Sequence, residues 1–84
     1  MSLSIILIGL GQVGLHLAKV LSSEFHDIVA IESQTARCRE AEESLDIKVL
    51  QGWGTDRRIL EAAGIEHADM MIAVTGKDEQ NVLA

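Results

Sequence analysis

The 84-residue sequence predicts an α/β fold, a single parallel sheet whose strands alternate with helices along the chain. Three observations predict it. An apolar, β-branched run from residue 4 to residue 8 stops abruptly at Gly9, Gly11 and Gly14, after which apolar residues recur at helical spacing. Three further apolar stretches of strand length, residues 26–31, 46–51 and 69–74, each follow a segment of helical character. Turn and cap residues stand where each helix should begin or end. The order is β-α-β-α-β-α-β-α, and right-handed crossovers place the strands 3-2-1-4 in one sheet.

The first strand and helix are joined by Gly9-Leu10-Gly11-Gln12-Val13-Gly14, a G-x-G-x-x-G pattern. Each glycine has its own task when the pattern serves a dinucleotide. Gly9 turns the chain out of the strand, Gly11 lets backbone approach a pyrophosphate, and Gly14 lets helix and strand pack closely. The phosphates then rest on the free amides and positive dipole end of the helix, the first turn contributing through Gln12, Val13 and Gly14. No Lys or Arg lies between Ser4 and Leu17, so backbone must supply the attraction. The other explanation of the same residues is a glycine turn that serves packing alone.

The helix over 12–25 places Val13, Leu17, Val20 and Leu21 toward the sheet and Lys19, Ser22 and Ser23 away from it, with Leu15 on the opposite side. The second strand closes on Glu32, 18 positions beyond Gly14, where this pattern calls for an acid that accepts hydrogen bonds from a ribose. A Rossmann-like domain is therefore the expected architecture. Ser33, Gln34 and Thr35 form a short loop in which Ser33 or Thr35 can cap the next helix, residues 36–45. Cys38, Ala41 and Leu45 share one face of that helix, which predicts a buried, structural thiol. Arg37, in its first turn, either reaches the adenosine side of a bound nucleotide or is plain surface.

The third strand leaves through Gly52-Trp53-Gly54-Thr55, with Thr55 as N-cap of a helix over 56–63, Asp56 in its first turn and Gly64 at its stop. The fourth strand ends at Thr75 and Gly76, which would lie across the sheet's switch point near the second phosphate or ribose. A helix begins near Glu79, with Asn81 either a further ligand contact or helix surface. Residues 1–84 thus read as a little more than the first half of a dinucleotide domain, with the fourth strand at an open edge.

Composition narrows the function. With 13 acidic against 7 basic residues the net charge is −6, which repels nucleic acid and anionic membrane. No apolar run is long enough to span a bilayer, and no secretory leader is recognisable, so a cytoplasmic chain without direct membrane insertion is expected. The single cysteine provides no disulfide framework, and no metal site is expected. His16, His26 and His67 are expected at the surface, and none is placed to act as a catalytic acid or base.

Several segments together resemble the nucleotide-binding part of the RCK/KTN domains of the TrkA N-terminal type, which regulate potassium channels and transporters. The matching pieces are Gly9-Leu10-Gly11-Gln12-Val13-Gly14, Ile31-Glu32, Gln51-Gly52-Trp53-Gly54-Thr55, Glu61-Ala62-Ala63-Gly64-Ile65, and Ala73-Val74-Thr75-Gly76 with Asp78-Glu79-Gln80-Asn81. The glycine pattern is shared by all Rossmann proteins; the third-strand turn, the Ala-Gly-Ile segment and the Ala-Val-Thr ending are more particular. The resemblance implies binding of NAD or NADH, with AMP, ADP or ATP as alternatives, in a sensor rather than an enzyme. It also implies a homo-oligomer on a potassium channel or transporter membrane subunit, hence a location peripheral to the inner face of the membrane.

The cofactor-binding residues it implies are Gly9, Gly11, Gln12, Val13 and Gly14 at the pyrophosphate, Glu32, Ser33 and Arg37 at the adenosine ribose, Gly52 and Trp53 at the adenine, and Thr75 and Gly76 across the switch point. Two positions depart from the family pattern. Glu32 replaces the common Asp with a longer acid, and Trp53 stands where a carboxylate is usual, either stacking on adenine or meeting another segment. Glu32 also favours NAD(H) over its 2′-phosphorylated form, since two negative charges would otherwise meet. Two rival classes are a fragment of an NAD-dependent oxidoreductase and an assembly module whose nucleotide pocket is unused.

Overall fold

The computed structural model describes residues 2–24 and 26–74. It contains β1 (Ser4–Ile8), α1 (Gln12–Ser23), β2 (Asp27–Glu32), α2 (Thr35–Ser44), β3 (Lys48–Gln51), α3 (Arg57–Ala62), a 3-10 turn at Ile65–His67 and β4 (Met70–Ala73). The strands form one sheet in the order β3-β2-β1-β4, every pair parallel, as expected from right-handed crossovers. The strands are shorter than expected at β3 and β4. The residues assigned beyond β4, including Thr75, Gly76, Asn81 and the helix from Glu79, lie outside the described residues.

The register puts alternate residues of each strand on one face. Ile5 and Leu7 of β1 and Ile28 and Ala30 of β2 are buried there with Leu10, Ala18 and Ala41, and Leu15, Leu17, Leu21, Val49 and Ile72 pack against them. The core is aliphatic throughout. Ile6 and Ile31, on the other face, are also fully buried.

The helix α1 sits differently from its sequence pattern. Val13 and Val20, expected to face the sheet, are 64% and 40% exposed, whereas Gly14 and Ala18 are buried and Leu15 packs on the core. Small residues decide this. The helix settles on Gly14 and Ala18, where it can approach closest, and this rotates the larger apolar stripe by about a quarter turn toward solvent. A Cβ at Gly14 would overlap the Gly9 carbonyl oxygen and lie 2.9 Å from its carbon, so only glycine permits this approach.

Three local expectations are corrected. The cap position of α2 is Gln34, with no side-chain cap, while Thr35 Oγ1 instead accepts from Gln51 Nε2 at 2.7 Å. The cap of α3 is Asp56 rather than Thr55, its Oδ1 accepting the Arg58 amide at 3.0 Å. His26 is half-buried, its Nδ1 accepting the Leu3 amide at 3.1 Å, because the chain entering β2 passes beside the start of β1. Gly64 ends the α3 segment in the left-handed region, φ +87°, as its place in the sequence predicts.

At the other end of the sheet, Asp69 fixes the entry to β4. Its Oδ2 accepts the Ser4 amide at 2.8 Å and its own amide donates to the Ser4 carbonyl at 2.7 Å. Among the described residues β4 is an edge strand, with Met70 and Met71 largely exposed.

Candidate functional site

The carboxyl ends of β1, β2 and β3 open onto a cleft of ≈ 320 Å³, the size of a small-ligand pocket. Its position follows from topology. Parallel strands all deliver their connecting loops to the same end of the sheet, so three separate turns converge there. Six of the residues anticipated from the sequence line it: Gly9, Glu32, Ser33, Arg37, Gly52 and Trp53. Ile8, Ile31, Gln34 and Gly54 complete the lining.

The glycine bend has the geometry that the spacing requires. Gly9 has φ +105°, a conformation open to glycine, and its amide donates to the Ile31 carbonyl at 2.9 Å. Leu10 turns its side chain into the core, so the bend is not filled by its own residues. Gly11 is the cap position of α1 in extended backbone, and no side chain caps that helix. Gln12 and Val13, the first residues of α1, are exposed, and Gly14 is buried under the bend. Gly11, Gln12, Val13 and Gly14 lie beside the cleft as the start of α1 rather than in its wall. Thr75 and Gly76 fall outside the described residues.

Glu32 is the buried charge of the site. Only 5% exposed, it accepts the Leu10 amide on Oε1 at 2.7 Å and the Gln34 amide on Oε2 at 2.8 Å. Burying a carboxylate is costly unless it is well hydrogen-bonded, and these two charge-assisted bonds meet that condition. Its carbonyl accepts from the Gly52 amide at 2.9 Å and from Cys38 Sγ at 3.4 Å, tying the ends of β2 and β3 to α2. Burial, then the negative charges of Glu32 and Glu42, push the Cys38 thiol above its ordinary pKa, so it stays protonated and inert as expected.

Arg37 lines the cleft from the first turn of α2 and makes no ion pair among the described residues. Trp53 lines the wall formed by the β3 turn and is 68% exposed, an apolar ring presented to solvent at the cleft mouth. Gln51 Nε2 donates to the Ser33 carbonyl at 3.2 Å and to Thr35 Oγ1, holding the loop after β2 against β3. Gln34, Gln51 and Gly54 are not among the residues anticipated at the site. Gln51 and Gly54 carried one signal, their place in the Gln51-Gly52-Trp53-Gly54-Thr55 turn, and a Cβ at Gly54 would come within 2.6 Å of Ile8 Cγ2.

Among the described residues, no group of three His, Cys, Asp or Glu could hold a metal ion. None of their helices is long and apolar enough to cross a membrane. Neither His16, His26 nor His67 lines the cleft. The cleft thus brings together a buried acid, a guanidinium and an exposed indole, with the uncapped start of α1 beside it.

The model of the TrkA-N domain family matches residues 5–84. Similar curated proteins include the Trk system potassium uptake protein TrkA homolog of Pyrococcus abyssi, 42% identical over 80 residues, which make up 95% of this chain and 35% of that protein. The protein of the same name in Methanothermobacter thermautotrophicus is 44% identical over 80 residues, 95% of this chain and 37% of that protein. The Trk system potassium uptake protein TrkA of Halomonas elongata is 44% identical over 82 residues, 98% of this chain and 18% of that protein. The chain therefore spans about a third of the length of the first two relatives and under a fifth of the third.

Proposed function

The chain belongs to the TrkA-N domain family, and on that premise we propose that it is the nucleotide-binding regulatory part of a potassium uptake system, sensing a ligand rather than catalysing a reaction. One observation carries the nucleotide reading. The bend between Gly9 and Gly11 leads into a helix that no side chain caps, beside a cleft lined by Glu32, Arg37 and Trp53. Four amides at a helix start need partners, and a diphosphate supplies them without any Lys or Arg.

The ligand we propose is NAD or NADH, with AMP, ADP or ATP as alternatives. In this reading the diphosphate sits on Gly9, Gly11, Gln12, Val13 and Gly14. The ribose hydroxyls add to the free lone pairs of the Glu32 carboxylate, with Ser33 and Arg37 alongside, while the adenine lies against Gly52 and Trp53. Thr75 and Gly76 belong to the far half of the ligand. The names of the relatives support a place in a potassium uptake system; from it we infer a partner in the membrane, a potassium channel or transporter subunit, with this domain cytoplasmic, homo-oligomeric and peripheral. A dehydrogenase fragment is disfavoured because the histidines are exposed or, in His26, spent on the Leu3 amide at the opposite end of β1.

The single tryptophan provides the test. Titration with NADH should quench Trp53 emission and transfer energy to the nicotinamide, and Gly11→Ala should abolish both by placing a methyl group in the phosphate seat. Unchanged emission and an unchanged melting temperature would favour the assembly module. The charge of Glu32 further predicts weaker binding of NADPH than of NADH; equal affinities by calorimetry would overturn that preference.

A further inference from the structure

We propose that Glu32 is a positioning residue for the diphosphate seat, holding the glycine bend in shape from beneath, so that its contribution to nucleotide binding does not require a ribose hydroxyl. The inference rests on the nucleotide reading above and adds a second task for a residue otherwise assigned to the ribose alone. A carboxylate serving only the ribose would direct its oxygens into the cleft. Glu32 instead turns both inward, onto the amides of Leu10 and Gln34 at 2.7 and 2.8 Å.

Leu10 is the middle residue of the bend and is fixed at two points. Its side chain is locked in the core, and its amide is held by Glu32 Oε1. The peptide planes on either side, those of Gly9 and Gly11, are therefore set before any ligand arrives, which is the preorganisation that an anion seat made of backbone needs. Without the carboxylate, the Leu10 amide would be buried and unpaired, and the bend would be free to reorient in search of a partner. The other oxygen anchors the strut to the cap position of α2, so bend and helix start are held as one unit. Side-chain length matters here. An aspartate is shorter by one methylene, about 1.5 Å, and from the same backbone cannot span both amides at these distances.

The test is calorimetric titration of the chain and its Glu32→Gln variant with inorganic pyrophosphate, ADP and 2′,3′-dideoxy-ADP. Glutamine keeps the volume but turns one acceptor into an NH2 group facing an amide N–H. Affinity should fall about tenfold for pyrophosphate and the dideoxy nucleotide, since that loss lies at the phosphates, and by at least as much for ADP, whose ribose hydroxyls also lose an acceptor. A loss confined to ADP, with pyrophosphate and the dideoxy nucleotide unaffected, would overturn the proposal and leave Glu32 as a ribose acceptor only. Failure of the unaltered chain to bind any of the three, and NADH as well, would sink the nucleotide reading itself, and this inference with it. Should Glu32→Gln not fold, Glu32→Asp decides the matter. Faster hydrogen exchange at the Leu10 amide with a loss of affinity that includes pyrophosphate supports the strut, and unchanged exchange with a loss restricted to ADP refutes it.

Discussion

The starts of α1 and α3 meet the same physical problem in opposite ways. Each helix opens with amides that have no intrahelical partner. At α3 the chain covers them itself, Asp56 Oδ1 accepting the Arg58 amide at 3.0 Å. At α1 the cap position is Gly11, no side chain caps the helix, no acid lies in the first turn, and the first amide satisfied by the helix is that of Leu15, donating to the Gly11 carbonyl at 2.8 Å. The contrast is instructive because α3 is the weaker element, six residues with none buried, and needs its cap. The twelve-residue α1, anchored by Gly14 and Ala18, keeps its end open without one. An open start on a well-anchored helix is what a ligand seat requires, and a sealed start on a poorly anchored one is what stability requires.

The strongest way to break the comparison is to remove the anchor. Gly14→Ala pushes a methyl group into the Gly9 carbonyl, backbone against backbone, with nothing flexible to yield. Overpacking of this kind should destabilise the domain by roughly 3 kcal/mol or more, a drop in Tm of roughly 12 °C or more for a chain of this size. Gly11→Ala is its counterpart. The backbone at Gly11, φ −70° and ψ −164°, is open to alanine, so the substitution adds no backbone strain at this buried position, and the seat should be lost at a smaller cost in stability than in Gly14→Ala. In a thermal melt with NADH at 100 times its dissociation constant, the stabilisation of about 2.7 kcal/mol that binding should confer falls toward zero in this variant. A Gly14→Ala protein as stable as its parent would show that α1 is not anchored as argued.

The comparison is sharpened from the other side by Asp56→Ala. Loss of a side-chain cap should cost about 1 kcal/mol and lower Tm by about 4 to 8 °C, with the response of Trp53 to NADH unchanged. Removing the cap at α3 should thus affect stability alone, whereas removing openness at α1 falls mainly on binding. A changed NADH response in Asp56→Ala would mean that α3 contributes to the seat, and the two helix starts would no longer be independent.

Much of this was legible in residues whose roles are local. A glycine that must adopt positive φ at the end of a strand, as Gly9 does, announces itself through its neighbours, and strand order follows from handedness once four strands are recognised. What was not legible depended on distance or on rotation. The larger apolar residues of α1 suggested a face running through Val13 and Val20, but close approach is governed by the smallest residues, and those lie about a quarter turn away. The caps at Thr55 and Asp56 are adjacent good candidates, and local sequence does not choose between them. Glu32 was found by its spacing from the glycines. The direction of its carboxylate was not, because the amide that draws it inward is 22 positions away in the chain and becomes a neighbour only when β1 and β2 pair.

The start of α2 lies between these two cases, uncapped by its own side chain yet with its Gln34 amide covered by Glu32, and Cys38 reports on that arrangement with the smallest expected effect. Its thiol is buried one turn into α2, with Sγ 3.4 Å from the Glu32 carbonyl and its pKa raised by burial first and by Glu32 and Glu42 after it. The native state therefore holds this proton more firmly than the unfolded chain does. The resulting stability is fully present below the ordinary thiol pKa of 9.0 and is lost as pH rises past it, because the unfolded state ionises first. Denaturant unfolding followed from neutral pH to above about 9 should show stability declining more steeply in the parent than in Cys38→Ala, which lacks the group, and no tyrosine titration overlaps since the chain has none. If the two decline in parallel, the thiol is not held in the buried, negatively flanked position described. Because Glu32 is one of its flanking charges, a Glu32→Gln background should flatten the parent's extra slope, linking this small effect back to the carboxylate under the glycine bend.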